Sequence, residues 1–360
     1  LAVAAQAAAR GDDLAGVGLT PGVPVLPMLA ATAPTAGQAV GQVAPASVEF
    51  KFDGARVQVH RVGGEVRVYT RSLADITART PDVVAAVDGL PGGDLILDGE
   101  TLALDESGAA RPFQETMSGL AEGAGALSVW FFDVLYADGR DLIDEPLRVR
   151  REVLERIVGD RLIPGDVVAD GPGSAEAAQS VLDAALAAGH EGVVAKALDS
   201  AYDAGRRGSQ WVKVKPVYTY DVVVLAVEQG SGRRRGWLSN LHLGARDPDG
   251  RFGERGGFVM VGKTFKGLTD EILRWQTEYF PTIETSRSGH VVHVQPTTVV
   301  EVAIDGVQRS PRYPGGVALR FARVKRYRVG DDAKPAEEAD TISELIARLP
   351  GAKQDPATGV

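Results

Sequence analysis

Apolar and polar positions alternate with the two-residue period of a half-buried strand over 47–53, the first of a strand-rich block that continues over 55–62, 65–71, 94–104 and 126–136. A Gly-Gly pair at 63–64 joins the second and third as a hairpin. Helical periodicity interrupts the series at 146–158, "PLRVRREVLERIV", and at 174–189, where Ser174 is the expected N-cap and Gly189 the stop. Strands follow near 191–197 and 210–216. Residues 11–47 are rich in Gly, Pro, Ala and Thr and read as a linker running into an irregular lead-in, "LTPGVPVLPMLA". Beyond Pro216 the pattern changes to short strands between Gly-rich turns, at 219–228, 236–245, 257–263, 299–304 and 317–326. One helical stretch, "LTDEILRWQTEYF", lies among them, which predicts a small OB-like barrel. A capping box, Thr341 to Glu344, opens a last helix, and no internal repeat is found. The fold class is therefore α+β in at least two domains.

Composition narrows the class. The 360 residues are 44 % hydrophobic, enough for two sizeable cores, and include no cysteine. Disulfides and thiolate metal sites are excluded, and a reducing, cytosolic location is expected. No apolar run approaches the about 20 residues that span a bilayer, so no membrane partner is expected. The N-terminal "LAVAAQAAA" reads as the stump of a helix from a longer protein and not as a signal peptide. Net charge is −9, but unevenly spread: residues 1–216 carry 19 basic and 30 acidic side chains, residues 217–330 carry 17 and 11. A basic second domain on an acidic chain is a weak nucleic-acid footprint, and an ordinary solvated surface would look the same.

Two patterns are set aside. "GFVMVGKT" at 257–264 has the letters of a phosphate loop, but its four intervening residues favour a strand and no strand leads into it. In "HVVHV", His290 and His293 would face opposite sides of a strand and could not share a metal. The chemistry gathers elsewhere. In "SVEFKFDGAR", Glu49, Lys51 and Asp53 share one strand face, with Val48, Phe50 and Phe52 on the other. A lysine attacks only as the free amine, a form favoured by desolvation and nearby cations. In "WVKVK", Trp211, Lys213 and Lys215 share a face and could anchor phosphate. A solvated edge strand is the alternative. Glu100, Asp133 and Glu191 are acids on or beside apolar strands, where acids are paired or bind hard cations such as magnesium. Arg56 and Arg71 follow Lys51 on the next strands.

In order along the chain, "EFKFDGAR", "YTRS", "LDGE", "FFDVLY", "EGVVAK", "WVKVK" and "LRFARVKRYR" resemble the motif series of ATP-dependent DNA ligases, within the covalent nucleotidyltransferases. The resemblance covers residues 20 to 345. It implies an ATP-grasp-like adenylation domain of antiparallel sheets with flanking helices, then an OB-fold domain. It implies ATP and Mg2+ (or Mn2+) as cofactors and nicked double-stranded DNA as partner. Lys51 would carry AMP as a phosphoramidate, Glu49 would read the adenine amino group and Phe132 would stack on the base. Arg56 and Arg71 would bind ribose and phosphates. Glu100 would contact ribose or metal and Glu191 would hold the divalent ion, with Asp53 and Asp133 as lesser candidates. Lys213 and Lys215 would hold the α-phosphate. Arg320, Arg323 and Lys325 fall in the terminal motif that orients pyrophosphate. Its usual Asp-Lys ending is replaced here by "VGDD", and Ser72 stands where the family often has asparagine. Arg323, with Arg233, Arg234 and Arg235 in a barrel loop, is a candidate for DNA backbone contact.

The implied domains are 1–22 as a remnant of an N-terminal DNA-binding domain, 23–216 for adenylation, 217–349 for the OB fold and 350–360 as a tail. The expected protein is a monomer at the nucleoid. Rival readings are an RNA ligase or an mRNA-capping guanylyltransferase of the same superfamily, or a non-catalytic OB-type nucleic-acid-binding protein. The lead-in segment resembles DNA ligases in particular.

Overall fold

The structure, a computed structural model, describes residues 18–105, 111, 116 and 127–349. The N-terminal stretch read as a helix stump and the 350–360 tail lie outside these residues. The chain divides into two compact units, Leu1–Lys215 and Pro216–Val360.

The first unit holds two five-stranded sheets. One contains β1 (Leu29–Thr32), β2 (Ala46–Lys51), β8 (Gly165–Val168), β9 (Gly192–Ala197) and β10 (Arg207–Val214), in the order β1-β10-β9-β2-β8. The other contains β3 (Ala55–Val62), β4 (Glu65–Thr70), β5 (Leu95–Ala103), β6 (Leu127–Ala137) and β7 (Arg140–Asp141), in the order β4-β3-β5-β6-β7. Both are antiparallel except for the β1–β10 pair. Helices α1 (Ala36–Val43) and α4 (Ser174–Ala187) cover one face of the first sheet, burying Val48, Val193, Ala195, Val212 and Val214 against Ala39, Val40, Val181 and Ala185. Helices α2 (Pro81–Asp88) and α3 (Leu147–Val158) cover the second sheet, packing Val83, Val87, Leu154 and Ile157 on Val57, Val59, Leu97 and Phe131. α4 opens one residue earlier in the chain than expected: Gly173 is its cap and Ser174 its first residue.

The segment expected to be a linker is partly ordered structure. β1 and α1 both fall within it, and Thr35 caps α1 by accepting from Gln38 N. Ala36, Ala39, Val40 and Val43 form a buried helical stripe that Gly37, Gly41 and the flanking prolines disguise. The lead-in residues before β1 are stitched to the second sheet by side chains. Gln58 pairs with both Val25 N and Val25 O, at 2.9 and 3.2 Å. Gly22 N donates to His60 Nδ1 at 3.0 Å, which leaves the proton on Nε2, facing Gln58 Oε1.

His60 is 1 % exposed, and burial pulls its pKa from about 6.5 to about 4. The neutral ring therefore stabilises the fold fully above pH 6.5, and that contribution is lost as pH falls toward 4. The expected loss across this window is about 3 kcal/mol. Urea unfolding at pH 7.5 and 4.5 measures it, and the difference should shrink in His60→Gln; an equal drop in both proteins would refute it.

The second unit is a curled seven-stranded sheet plus a hairpin around one core. Its path runs β13 (Gly257–Thr264), β12 (Leu238–Asp247), β11 (Tyr218–Gln229), β15 (Val291–Val294) and β14 (Glu284–Ser288). β16 (Val299–Ile304) pairs with the other end of β11 and with β19 (Arg323–Tyr327), while β17 (Gly306–Arg309) and β18 (Val317–Arg320) form the hairpin. α5 (Asp270–Tyr279) packs Leu273 into the core, and α6 (Ile342–Ala347) starts at the Thr341–Glu344 capping box. The sequence suggested about five strands, whereas the described residues hold nine. Residues 317–326 break into two strands at Phe321, whose φ is 53°. "GFVMVGKT" is strand throughout, so it cannot wrap a phosphate.

Candidate active site

The register of the first sheet assembles the site. Lys51 pairs with Gly192, Glu49 with Val194 and Ser47 with Lys196. On the other side of β9, Val194 pairs with Lys213 and Lys196 with Trp211. Alternation therefore puts Ser47, Glu49, Lys51, Lys196, Trp211 and Lys213 on the face opposite the α1–α4 core. Gly192 sits in the same row as Lys51 because nothing larger fits: a Cβ there would lie 2.1 Å from Val214 O. Gly54 is constrained likewise, since a Cβ would meet Thr101 O at 2.1 Å. This glycine lets β2 break and the chain cross to the second sheet.

A cavity of about 480 Å³ is lined by Glu49, Lys51, Lys196, Arg207, Trp211 and Lys213 from the first sheet, Arg56, Glu100 and Phe132 from the second, and Arg71 just after β4. Lys51 Nζ lies 2.5 Å from Glu191 Oε2, and Lys215 contacts Glu191 Oε1. Burial alone would raise the Glu191 pKa, but Lys51 and Lys215 outweigh it and hold it low. Burial, then the charges of Lys215, Lys51 and Arg207, hold Lys213 below the usual lysine range, against the pull of Glu191. Burial pushes Glu100 up to about 7, although Lys51 and Arg56 draw it down. Arg56 is a wall of the cavity. It grips Asp98 with Nε and Nη2 at 2.9 and 2.6 Å and donates to Met28 O and Tyr202 Oη. Of five guanidinium N–H groups this leaves one for a ligand, counting partners among the described residues.

Lys196 is the residue that sequence reasoning missed. It closes "EGVVAK", yet only the strand register shows that it shares the face of Glu49. Its ammonium is 2.5 Å from Glu49 Oε2, donates to Phe132 O at 3.0 Å, and lies 4.5 and 4.4 Å from the Phe132 and Trp211 ring centres. Two buried polar atoms here make no hydrogen bond: Glu49 Oε2, an acceptor, and Trp211 Nε1, a donor. Glu49 Oε2 is ion-paired to Lys196 but out of line for hydrogen bonding. A ligand offering both a donor and an acceptor at this end, and anionic oxygens toward Lys51 and Lys213, would satisfy all of them.

Asp133 does not join the cavity, which corrects the expectation that it could help hold a metal. Adjacent to Phe132 on β6, it points to the opposite face of the strand, toward α3. There Arg150 Nε and Nη2 take its two oxygens at 2.7 and 3.1 Å. Asp53 is half-buried in the turn after Lys51 and outside the cavity lining. Among the described residues no group of three or more His, Asp or Glu is placed to hold a metal.

The remaining candidates belong to the second unit. Arg233 and Arg235 are exposed and Arg234 half-buried in a turn after β11. Arg234 donates to Phe265 O at 2.7 Å and lies over that ring. Phe265 and Phe321 are 56 % and 58 % exposed. Lys266 and Arg320 lie over Phe321, at 5.0 and 5.9 Å. Arg323 is half-exposed, 3.8 Å from Asp305.

Comparison with known proteins agrees with this geometry. The family model described as ATP dependent DNA ligase domain matches residues 27–215, and that described as ATP dependent DNA ligase C terminal region matches 234–331. A probable DNA ligase of Pseudarthrobacter chlorophenolicus is 60 % identical over 340 residues, covering 94 % of this chain and 66 % of that protein. One from a Nocardioides species is 57 % identical, covering 97 % and 67 %. The chain thus spans about two thirds of the length of these curated relatives. The solved structure named Pmar-Lig_Pre superposes with a TM-score of 0.65 at 20 % identity, covering 85 % of this chain and 68 % of that one, which supports the fold alone. On the two family models and these identities, the chain belongs to the ATP-dependent DNA ligase family.

Proposed function

We propose that this chain seals nicks in duplex DNA at the expense of ATP, through an AMP carried on Lys51. The observation that carries the reading is one cavity lined both by Lys51 with its cationic neighbours and by Glu49, whose buried Oε2 makes no hydrogen bond, beside the Phe132 and Trp211 rings. Adenine fits the inner end: its amino group can donate to Glu49 Oε2 while Lys196 and Trp211 Nε1 donate to ring nitrogens, with Phe132 against the base. Lys213 and Lys215, with Arg71 and the spare N–H of Arg56, suit ribose and phosphate oxygens. A magnesium ion, which usually takes only one or two carboxylates plus substrate phosphates, would be held by Glu100 and Glu191 and would neutralise charge on the phosphates.

In the first step the lone pair of Lys51 Nζ attacks the α-phosphorus. A nitrogen–phosphorus bond forms, the bond to the β-phosphate oxygen breaks, and pyrophosphate leaves. Nζ must first leave the Glu191 ion pair and shed a proton, so a carboxylate drawn to metal and lysine alike suits the change. AMP then passes to the 5′-phosphate of a nick, and the 3′-hydroxyl attacks that phosphorus and expels AMP. Positioning and charge neutralisation supply most of the catalysis in such transfers. Residues 23–216 would form the adenylation domain and 217–349 the OB domain, whose Arg320 would orient pyrophosphate. Incubation with ATP and Mg2+ followed by intact-mass measurement tests the first step; no AMP adduct would overturn the reading. GTP in place of ATP tests the capping alternative, and nicked RNA in place of DNA tests the RNA ligase.

The second unit would supply DNA contact. Two exposed phenylalanines ringed by cations can meet bases while the arginines meet phosphates. Phe321 also holds a left-handed backbone that an aromatic residue rarely adopts, a strain common at functional positions. Phe321→Ala should weaken binding of nicked duplex about tenfold, and wild-type binding should fall steeply with salt. Gel-shift titrations at two ionic strengths measure both. Unaltered affinity would remove this patch from the interface.

A further inference from the structure

The Glu49 carboxylate is held unequally. Oε1 accepts from Ser47 Oγ at 2.8 Å and directly from Arg151 Nη1 at 3.3 Å. The same Nη1 donates to Ser47 Oγ at 2.9 Å. Oε2, with no hydrogen bond, faces Lys196 in the cavity. Arg151 lies on α3, outside the cavity lining, and Glu155 one turn further on receives its Nε at 2.9 Å.

A serine hydroxyl has one proton and two lone pairs. Because Arg151 donates to Ser47 Oγ, the serine proton is aimed at Glu49 Oε1. The relay runs in one direction, from guanidinium to hydroxyl to carboxylate, and charge strengthens each link. Oε1 is saturated and the carboxylate plane is set, which leaves Oε2 as the acceptor offered to a ligand. The terminal torsion of a glutamate is otherwise broad. Freed from Arg151, the carboxylate could turn both oxygens onto the Lys196 ammonium and offer none.

We propose that Arg151 is a positioning residue which, directly and through Ser47, aims Glu49 Oε2 at the 6-amino group of the incoming purine and so sets the preference for ATP over 6-oxopurine nucleotides. A 6-oxo group would face that oxygen with a second acceptor, and a site built for one hydrogen-bond pattern rejects the other strongly. The proposal rests on reading the cavity as the adenylation site.

The test compares wild type, Arg151→Met, Arg151→Lys and Ser47→Ala in single-turnover adenylation of Lys51, followed by intact mass. The nucleotides are ATP, GTP and purine riboside triphosphate, which has no group at position 6. Arg151→Met should raise the ATP concentration for half-maximal rate about tenfold, leave the saturating rate within about twofold, and narrow the ATP-to-GTP preference. The penalty should vanish with purine riboside triphosphate, a readout that a merely structural role would not move. Arg151→Lys should recover part of the loss, and Ser47→Ala, which keeps the helix intact should Arg151→Met fold poorly, should show a smaller shift of the same kind. An unchanged ATP curve in both Arg151→Met and Ser47→Ala, or an equal penalty for ATP and purine riboside triphosphate, would overturn the proposal. A wild-type chain that takes no nucleotide would overturn the reading of the cavity, and this proposal with it.

Discussion

Replacing Lys51 by alanine should abolish the AMP adduct, a loss of at least about a thousandfold, while the fold stays intact. The side chain is about a quarter exposed and its ion-pair partner Glu191 keeps Lys215, so the substitution strands no buried charge. Arginine at this position should be equally inactive, because a guanidinium holds its proton throughout the accessible pH range. The last step needs no lysine nucleophile. The alanine variant should therefore still close a nick supplied already adenylated, which sealing of that substrate without ATP will measure. An adduct that persists in Lys51→Ala would shift the nucleophile to a neighbouring lysine.

The largest stability effect is expected at Arg150→Met. Arg150 is fully buried, grips Asp133 through two hydrogen bonds, and donates through Nη1 to Glu145 O and Ser200 O. Removing it leaves the Asp133 carboxylate, 1 % exposed, without its counter-charge. Breaking a buried pair from one side costs about 3–5 kcal/mol, whereas removing both partners costs less. Urea unfolding of Arg150→Met and of the double variant Arg150→Met/Asp133→Leu measures the difference. If the double variant is no more stable than the single one, the pair is not the source of the loss.

Alternation exposed β2 and β10 in the sequence because each buries one face on helices and lines the cavity with the other. Lys51, Lys213, Lys215 and Glu49 were legible for that reason, and Glu191 as an acid beside an apolar run. Lys196 was not, since its partner strand is known only from the register. Asp133 was misplaced although alternation sends it to the opposite face of β6 from Phe132, because only the packed helix shows Arg150 there to receive it. α1 was hidden by alanines and glycines that bury well but announce no amphipathic pattern. Arg150 and Arg151 look alike on a helix surface, and only packing separates the one that holds Asp133 from the one that reaches Glu49.

Those two arginines carry a consequence for how the first unit moves. Adjacent on α3, they engage different sheets, Arg150 through β6 and Arg151 through β2. The helix is therefore riveted to both walls of the cavity at once. Neither wall can peel away without breaking a charged contact to the same helix, so the two sheets should open as one cooperative unit. Amide protons of β2 and β6 should then exchange with deuterium at matched, slow rates in the ligand-free protein, as expected of a cleft that is shaped before its ligand arrives.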